Sequence, residues 1–314
     1  MKDAGARRWW LAAMAVAALM GWLEPRLDIY LADVLVRVAI NVVLAVSLNL
    51  INGHAGQFSL GHAGFMGVGA YAAAALTVLA APKVLPGGGD GWLQQAWFLV
   101  ALLGGGAAAA LAGLLVGAPS LRLKGDYLAI VTLGFGQIIG VIVRNMEPLG
   151  GALGMSGLPA RTNLFWVLAA AATTIYGVTA LVNSTHGRGF IATHDDEVAA
   201  EAMGLDTTRY KIVAFVTGAF FAGVAGGLFA HFKLAIDPRG FDFTRSIEIV
   251  VMVILGGMGR TAGVIGAAIL LTLLPEILRP VAEYRMILYS LLLIVLMLVR
   301  PQGLFQWSKK GGQP

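Results

Sequence analysis

Residues Ser47–Tyr71 read SLNLINGHAGQFSLGHAGFMGVGAY. The stretch is apolar enough to lie inside a membrane. It also carries Gly53, Gly56, Gly61, Gly64, Gly67 and Gly69 together with Asn49, Asn52, His54, Gln57, Ser59 and His62. Regular helix is hard to sustain across that glycine density. Irregular backbone at membrane depth is tolerated only where protein or water satisfies its polar groups. The stretch therefore predicts a broken helix that lines a cavity or packs tightly against neighbours. Transport sites are often built from such breaks, with free amides and carbonyls facing the cargo. Asn52, Gln57, Ser59 and His62 are the candidate pathway residues here.

The surrounding chain supports a membrane setting. It has 314 residues, 58% hydrophobic and 12% charged, with mean hydropathy +0.79. Soluble domains carry about 25% charged residues, so lipid has to be the solvent of this chain. The 42 glycines suit helix backbones in close approach. Ten apolar runs follow one another, at 9–23, 31–51, 62–81, 93–117, 127–143, 163–183, 210–232, 243–257, 263–278 and 286–300. A spanning helix needs about 20 residues, so about ten transmembrane segments are expected in an all-α polytopic bundle. Run 243–257 is short and open to a re-entrant reading. Lys2, Arg7 and Arg8 before the first run resemble a secretory signal, but further spans follow at once and favour a retained first helix.

The orientation signal is weak. Ten spans with the N-terminus inside place 12 Lys/Arg on inner segments and 9 on outer ones, with Arg37 inside a span, out of 22. The basic residues are scattered singly. That pattern fits anionic lipid and shows no nucleic-acid site.

A second pathway candidate lies in the fifth run, where Thr132 and Gln137 flank Gly134 and Gly136. Gly150–Gly157 reads as an outer loop. Within the membrane, Asp33 and Arg37 are four residues apart and placed to pair; Arg245 and Glu248 are three apart. Both pairs sit toward the predicted outer end, where snorkelling is open to them, and a structural role is the simpler reading of both. No ladder of carboxylates crosses the interior, which argues against proton or sodium drive and for an external energy source.

Chemistry-bearing motifs are missing. There is no G-x-x-x-x-G-K-[ST], no H-E-x-x-H and no G-x-S-x-G. The chain has no cysteine. His54 and His62 are eight apart among glycines, and hydrogen bonding or packing explains them better than a metal. No catalytic or metal residue is assigned.

The most polar interior stretch, His186–Lys211, carries a helix signature. Thr193 is placed to cap, with Asp196 three residues on and Asp195 and Glu197 also in the first turn. Gly204 is placed to end the helix. Val198, Ala199, Ala202 and Met203 share one face. Two readings remain open from the residues alone: a capped helix on the membrane surface, or a helix offering small apolar side chains to a partner's groove.

The Ser47–Tyr71 stretch, LRLKGDYLAIVTLGFG, DDEVAAEAMGLDTTRYKIVAF and LLLIVLMLVRPQGL resemble the branched-chain amino-acid ABC importer permeases, specifically the LivM-type subunit. The resemblance runs from about Ile40 to Leu304. It implies a type II-like permease with a short cytoplasmic coupling helix that takes up leucine-class amino acids. The implied partners are a second homologous permease, two cytoplasmic ATPases that bind ATP and Mg, and a periplasmic binding protein. No cofactor is implied in this chain. The family's coupling segment matches Asp195–Tyr210, with Asp195, Asp196, Glu197, Ala199, Ala200, Glu201, Ala202, Met203 and Gly204 as coupling residues. The implied location is a bacterial inner membrane with both termini cytoplasmic. Residues 1–8 then form the N-terminus, 9–300 the permease domain with its coupling loop at 186–209, and 301–314 the tail. The family often shows T-G-G-x-x-G-L in the outer loop. Here Pro148–Leu158 lacks the Thr and is stretched, which leaves urea or short amides as alternative cargo. A secondary carrier and a passive channel are the rival classes.

Overall fold

A computed structural model describes residues 2–84, 91–120, 126–279 and scattered positions between 287 and 298. Most of the tenth run, the tail 301–314 and the inner charges Arg122 and Lys124 lie outside the described residues.

The described chain is almost entirely helical: α1 (Lys2–Leu23), α2 (Ile29–Asn49), α3 (His62–Ala75), α4 (Ala81–Val84), α5 (Trp92–Ser120), α6 (Asp126–Asn145), α7 (Leu164–Asn183), α8 (Thr185–Asp195), α9 (Glu197–Ala202), α10 (Thr207–Lys233), α11 (Phe243–Gly256) and α12 (Thr261–Ile277). Two short strands, β1 (Met155–Ser156) and β2 (Ala235–Ile236), pair antiparallel. Among the described residues, six helical stretches are long and apolar enough to cross a membrane: Ile29–His54, His62–Val84, Trp92–Ser120, Tyr127–Asn145, Leu164–Asn183 and Thr207–Lys233. The run at 243–257 forms only the 14-residue α11. At 1.5 Å per residue that is about 21 Å, short of the ~30 Å hydrocarbon layer.

The spans differ in depth. In the best apolar window of α2 and its continuation 83% of residues are buried, against 22% for α6. So α2 is central and α6 peripheral. Packed on α2 are α7, α10, α11 and α12, while α3, α5 and α10 form a second tight group. Phe65 and Phe215 meet edge to face with centroids 5.4 Å apart, both buried.

Glycine sets how closely α3 and α10 approach. A β-carbon on Gly226 would land on the Met66 carbonyl oxygen and come within 2.9 Å of the Ala70 nitrogen. Backbone atoms cannot swing aside as a side chain can. Gly226→Leu is therefore expected to destabilise the fold by about 3 kcal/mol or more. Gly134→Leu on α6, where nothing lies within 4 Å, should stay within about 0.5 kcal/mol. Melting curves of the detergent-solubilised variants check both.

Two ends can be told apart. α8 and α9 lie between the end of α7 and the start of α10. β1 precedes α7 and β2 follows α10, so the strands sit at the opposite end. There Met155 faces Ile236 and Ser156 faces Ala235, the Leu158 amide donates to the Leu234 carbonyl at 3.2 Å, and Thr162 Oγ1 donates to the Leu228 carbonyl at 2.9 Å. Tyr71 reaches in from α3 to the Ile236 carbonyl at 3.4 Å. The expected outer loop is thus built into this end, with Gly150, Gly151, Gly154 and Gly157 all at positive φ.

One intramembrane pairing differs from the sequence expectation. Arg37 bonds Glu276 of α12 at 3.0 Å instead of Asp33. Glu276 is also held by the Tyr30 hydroxyl at 2.6 Å, so the tertiary partner offers a two-sided site that a helix neighbour does not. The expected Arg245–Glu248 pair forms at 2.7 Å.

Candidate functional site: a broken helix and the element that touches it

The helix of α2 widens into a π turn at Leu50–His54 and then stops. Residues 55–61 are irregular before α3 begins at His62. An amide in such a break needs an acceptor. Three side chains from three elements supply them. Asn52 Oδ1 accepts from the Ser59 amide at 3.2 Å, Thr132 Oγ1 of α6 from the Leu60 amide at 3.1 Å, and Ser246 Oγ of α11 from the Ala63 amide at 3.1 Å. The break is a held conformation.

Five of the six pathway candidates gather here. Asn52, Gln57, Ser59, His62 and Thr132 are all buried. Thr132 is fully used, since its hydroxyl also donates to the Ala129 carbonyl at 3.0 Å. Among the described residues the other four carry polar atoms with no hydrogen-bond partner: Asn52 Nδ2, both amide atoms of Gln57, Ser59 Oγ and His62 Nδ1. The other ring nitrogen of His62 meets Ser47 Oγ at 2.9 Å. A buried polar group left unmatched costs about 1–3 kcal/mol, so this concentration within eleven residues of chain marks a place where polar company is expected. Gln137 stands apart, exposed on α6 beside exposed Ile138. Ser246 was invisible to sequence reasoning, because its partner amide is 183 residues away.

The polar stretch 186–211 folds as two short helices. Ser184 caps α8 through the Gly187 amide. Asp196, not Thr193, caps α9: its Oδ1 takes the amides of Val198 at 2.9 Å and Ala199 at 3.0 Å. Thr193 lies inside α8 and donates to the Gly189 carbonyl at 2.8 Å. A carboxylate that satisfies two orphan amides outcompetes a hydroxyl already bonded to its own helix. Gly204 ends the unit at φ 84°. Its amide bonds the Glu201 carbonyl at 2.9 Å and the Leu205 amide bonds the Ala200 carbonyl at 3.1 Å, the pair of bonds of a Schellman end.

The side chains of this unit divide by role. Glu197 meets Lys211 Nζ at 2.7 Å and Glu201 accepts from the Thr207 hydroxyl at 2.7 Å. Both carboxylates thus tie α9 to the first turns of α10. Ala200 is buried. Val198, Ala199, Ala202 and Met203 are exposed, Val198 at 68% and Met203 at 84%. Asp195 is exposed as well. The chain presents an exposed apolar face on a turn capped at both ends. α8 also reaches the break, since a β-carbon on Gly56, which has φ 67°, would land on the His194 ring.

Residues 30–299 match the family described as branched-chain amino acid transport system, permease component. The chain is 34% identical over 312 residues to the high-affinity branched-chain amino acid transport system permease protein LivM of Salmonella typhimurium and to that of Escherichia coli, which takes in 88% of this chain and 70% of each relative. It is 30% identical over 123 residues to the corresponding LivH permease protein of Escherichia coli, covering 38% of this chain and 40% of that one. No solved structure matches.

Proposed function

We propose a function from one premise: the chain belongs to the branched-chain amino acid transport permease family. It is a membrane-spanning subunit of an ABC importer for leucine, isoleucine and valine. LivM and LivH occur as two permease proteins of one named transport system, which supports pairing of this chain with a second, related permease. Two ATPases carrying ATP and Mg, and a periplasmic binding protein that delivers the amino acid, complete the importer. The setting is a bacterial inner membrane, with both termini and the α8–α9 unit on the cytoplasmic side.

The observation that carries this reading is the exposed apolar face of α9, tied by Glu197 to Lys211 at 2.7 Å. The face fits a groove on one ATPase, as amphipathic helices do. ATP closes the ATPases on each other. α9 moves with its groove, and the bonds to Lys211 and Thr207 carry the displacement into α10. His194 of α8 carries it to Gly56 in the break. The route between the two permeases then changes the side to which it opens. Asn52, Gln57, Ser59 and His62 supply polar contacts to the cargo or to water that accompanies it. Thr132 holds the break in place. Gln137, exposed on peripheral α6, faces the route only where the second permease meets this helix.

The test is leucine uptake in proteoliposomes holding both permeases and the ATPases, with binding protein outside and ATP inside. Uptake is expected to need all of these and to survive dissipation of ion gradients. Accumulation driven by a proton gradient with the ATPases left out would overturn the reading in favour of a secondary carrier. Downhill flux of urea through this chain alone would do so in favour of a channel.

A further inference from the structure

The Arg245–Glu248 pair sits deeper and more openly than a structural ion pair needs to. Arg245 Nη2 donates to Asn41 Oδ1 at 2.6 Å. Asn41 is residue 13 of the 26-residue span Ile29–His54, so the guanidinium lies at the middle of the most buried crossing. The neighbouring Ser246 Oγ holds the Ala63 amide in the first turn of α3. Two discontinuous helices, α3 and α11, therefore begin side by side at membrane depth, with the charged pair beside their junction.

The pair is also open to the outside of the chain. The side chains of Arg245 and Glu248 are 20% and 44% exposed, and Thr244, Ile247 and Val251 continue that partly exposed face. A carboxylate turned to hydrocarbon at mid-membrane costs several kcal/mol, so intramembrane charges face water or polar partners. The other intramembrane pair makes the contrast. Both oxygens of Glu276 are engaged, by Arg37 and by Tyr30. Among the described residues Glu248 bonds through Oε2 alone, to Arg245 Nη1. Arg245 is anchored on its far side, because Asn41 is itself fixed by its amide donating to Thr272 Oγ1 at 2.8 Å.

We propose that Arg245 and Glu248 form a zwitterion station on the translocation route. The Arg245 guanidinium takes the cargo's α-carboxylate, and the Glu248 carboxylate takes its α-ammonium. The inference rests on the amino-acid importer reading above. The planar fork of an arginine matches a carboxylate in two parallel bonds. The exchange conserves charge: one ion pair in the protein and one zwitterion become two intermolecular pairs, and no proton moves. A preformed neutral pair also releases its guest by closing on itself, which a lone charge cannot do. The apolar side chain of the guest lies along Ile247 and Val251.

The absence of cysteine makes a direct test available. Val251→Cys, one turn from Glu248, gives the chain a single thiol. In the reconstituted full transporter, labelling of this chain by a membrane-impermeant cationic methanethiosulfonate is expected, and saturating L-leucine should slow it about tenfold or more. 4-Methylpentanoate, which keeps the carboxylate and side chain and lacks the ammonium, should not slow it. Glu248→Gln in the same background should abolish the leucine effect, and Glu248→Asp should retain part of it. No labelling in a transporter that still imports leucine would place this face against lipid or protein and overturn the station. Equal protection by both ligands, or protection that survives Glu248→Gln, would overturn the zwitterion assignment. A parent transporter that imports no leucine would remove the premise, and this inference with it.

Discussion

Ala199→Asp with Ala202→Asp is expected to bring ATP-driven uptake to background while the chain still inserts and melts at its normal temperature. Both positions are exposed, so neither carboxylate is buried in the permease alone. Loss of helix propensity costs about 0.7 kcal/mol per site. That is too little to dissolve a unit capped by Asp196 at two amides. In the docked state both charges are driven into an apolar groove. At about 2 kcal/mol or more for each unpaired charge, docking weakens by nearly a thousandfold at 1.4 kcal/mol per tenfold. Uptake by proteoliposomes and co-purification of the ATPases measure the two sides of the result. Normal uptake in the double variant would exclude the α9 face as the docking surface.

Lys211→Met is expected to lower both stability and uptake, by a different route. Lys211 is 6% exposed, and its ammonium is 2.7 Å from Glu197. Removing Lys211 takes one partner from the Glu197 carboxylate, whose side chain is 24% exposed, and costs about 1–3 kcal/mol. The melting temperature should fall accordingly. Uptake should fall further than stability explains, since α9 loses a bond to the helix it drives. Glu197→Gln combined with Lys211→Met leaves neither charge in place and should recover part of the melting temperature while uptake stays low. A single Lys211→Met variant that melts like the parent would show that the pair bears no load.

Much of this architecture was legible in the residues. Of the ten runs hydropathy marked, six form membrane-length helices among the described residues, and the glycine-rich stretch at Ser47–Tyr71 predicted a break that the chain does make, at 55–61. The exposed face of Val198, Ala199, Ala202 and Met203 followed from helical spacing. Spacing failed where the partner was distant. Arg37 has Asp33 four residues away but bonds Glu276, 239 residues on. Thr193 carries the right chemistry for a cap, yet its hydroxyl is spent on the Gly189 carbonyl. Gln137 resembled a pathway residue because it sits among glycines, but which face of α6 is buried depends on α3 and not on α6 itself. Arg245 and Glu248 were readable as a pair; what the sequence lacked was their depth, which comes from Asn41.

The short strand pair at the far end has a mechanical consequence. β2 follows α10 directly, and β1 pins it with Met155 and Ser156, reinforced by Thr162 on the Leu228 carbonyl. In the proposed coupling α10 is thus fastened at one end and pushed at the other, where Thr207 and Lys211 bond α9. On that reading it is a lever with its fulcrum at the strands, and its load is the middle of the helix, where Gly218 abuts Ile51 of the π turn. Over its 27 residues, about 40 Å at 1.5 Å per residue, a stroke delivered at Lys211 arrives near Gly218 at roughly 70% of its amplitude and with correspondingly greater force. The machine trades distance for thrust at the depth where the broken helix has to give.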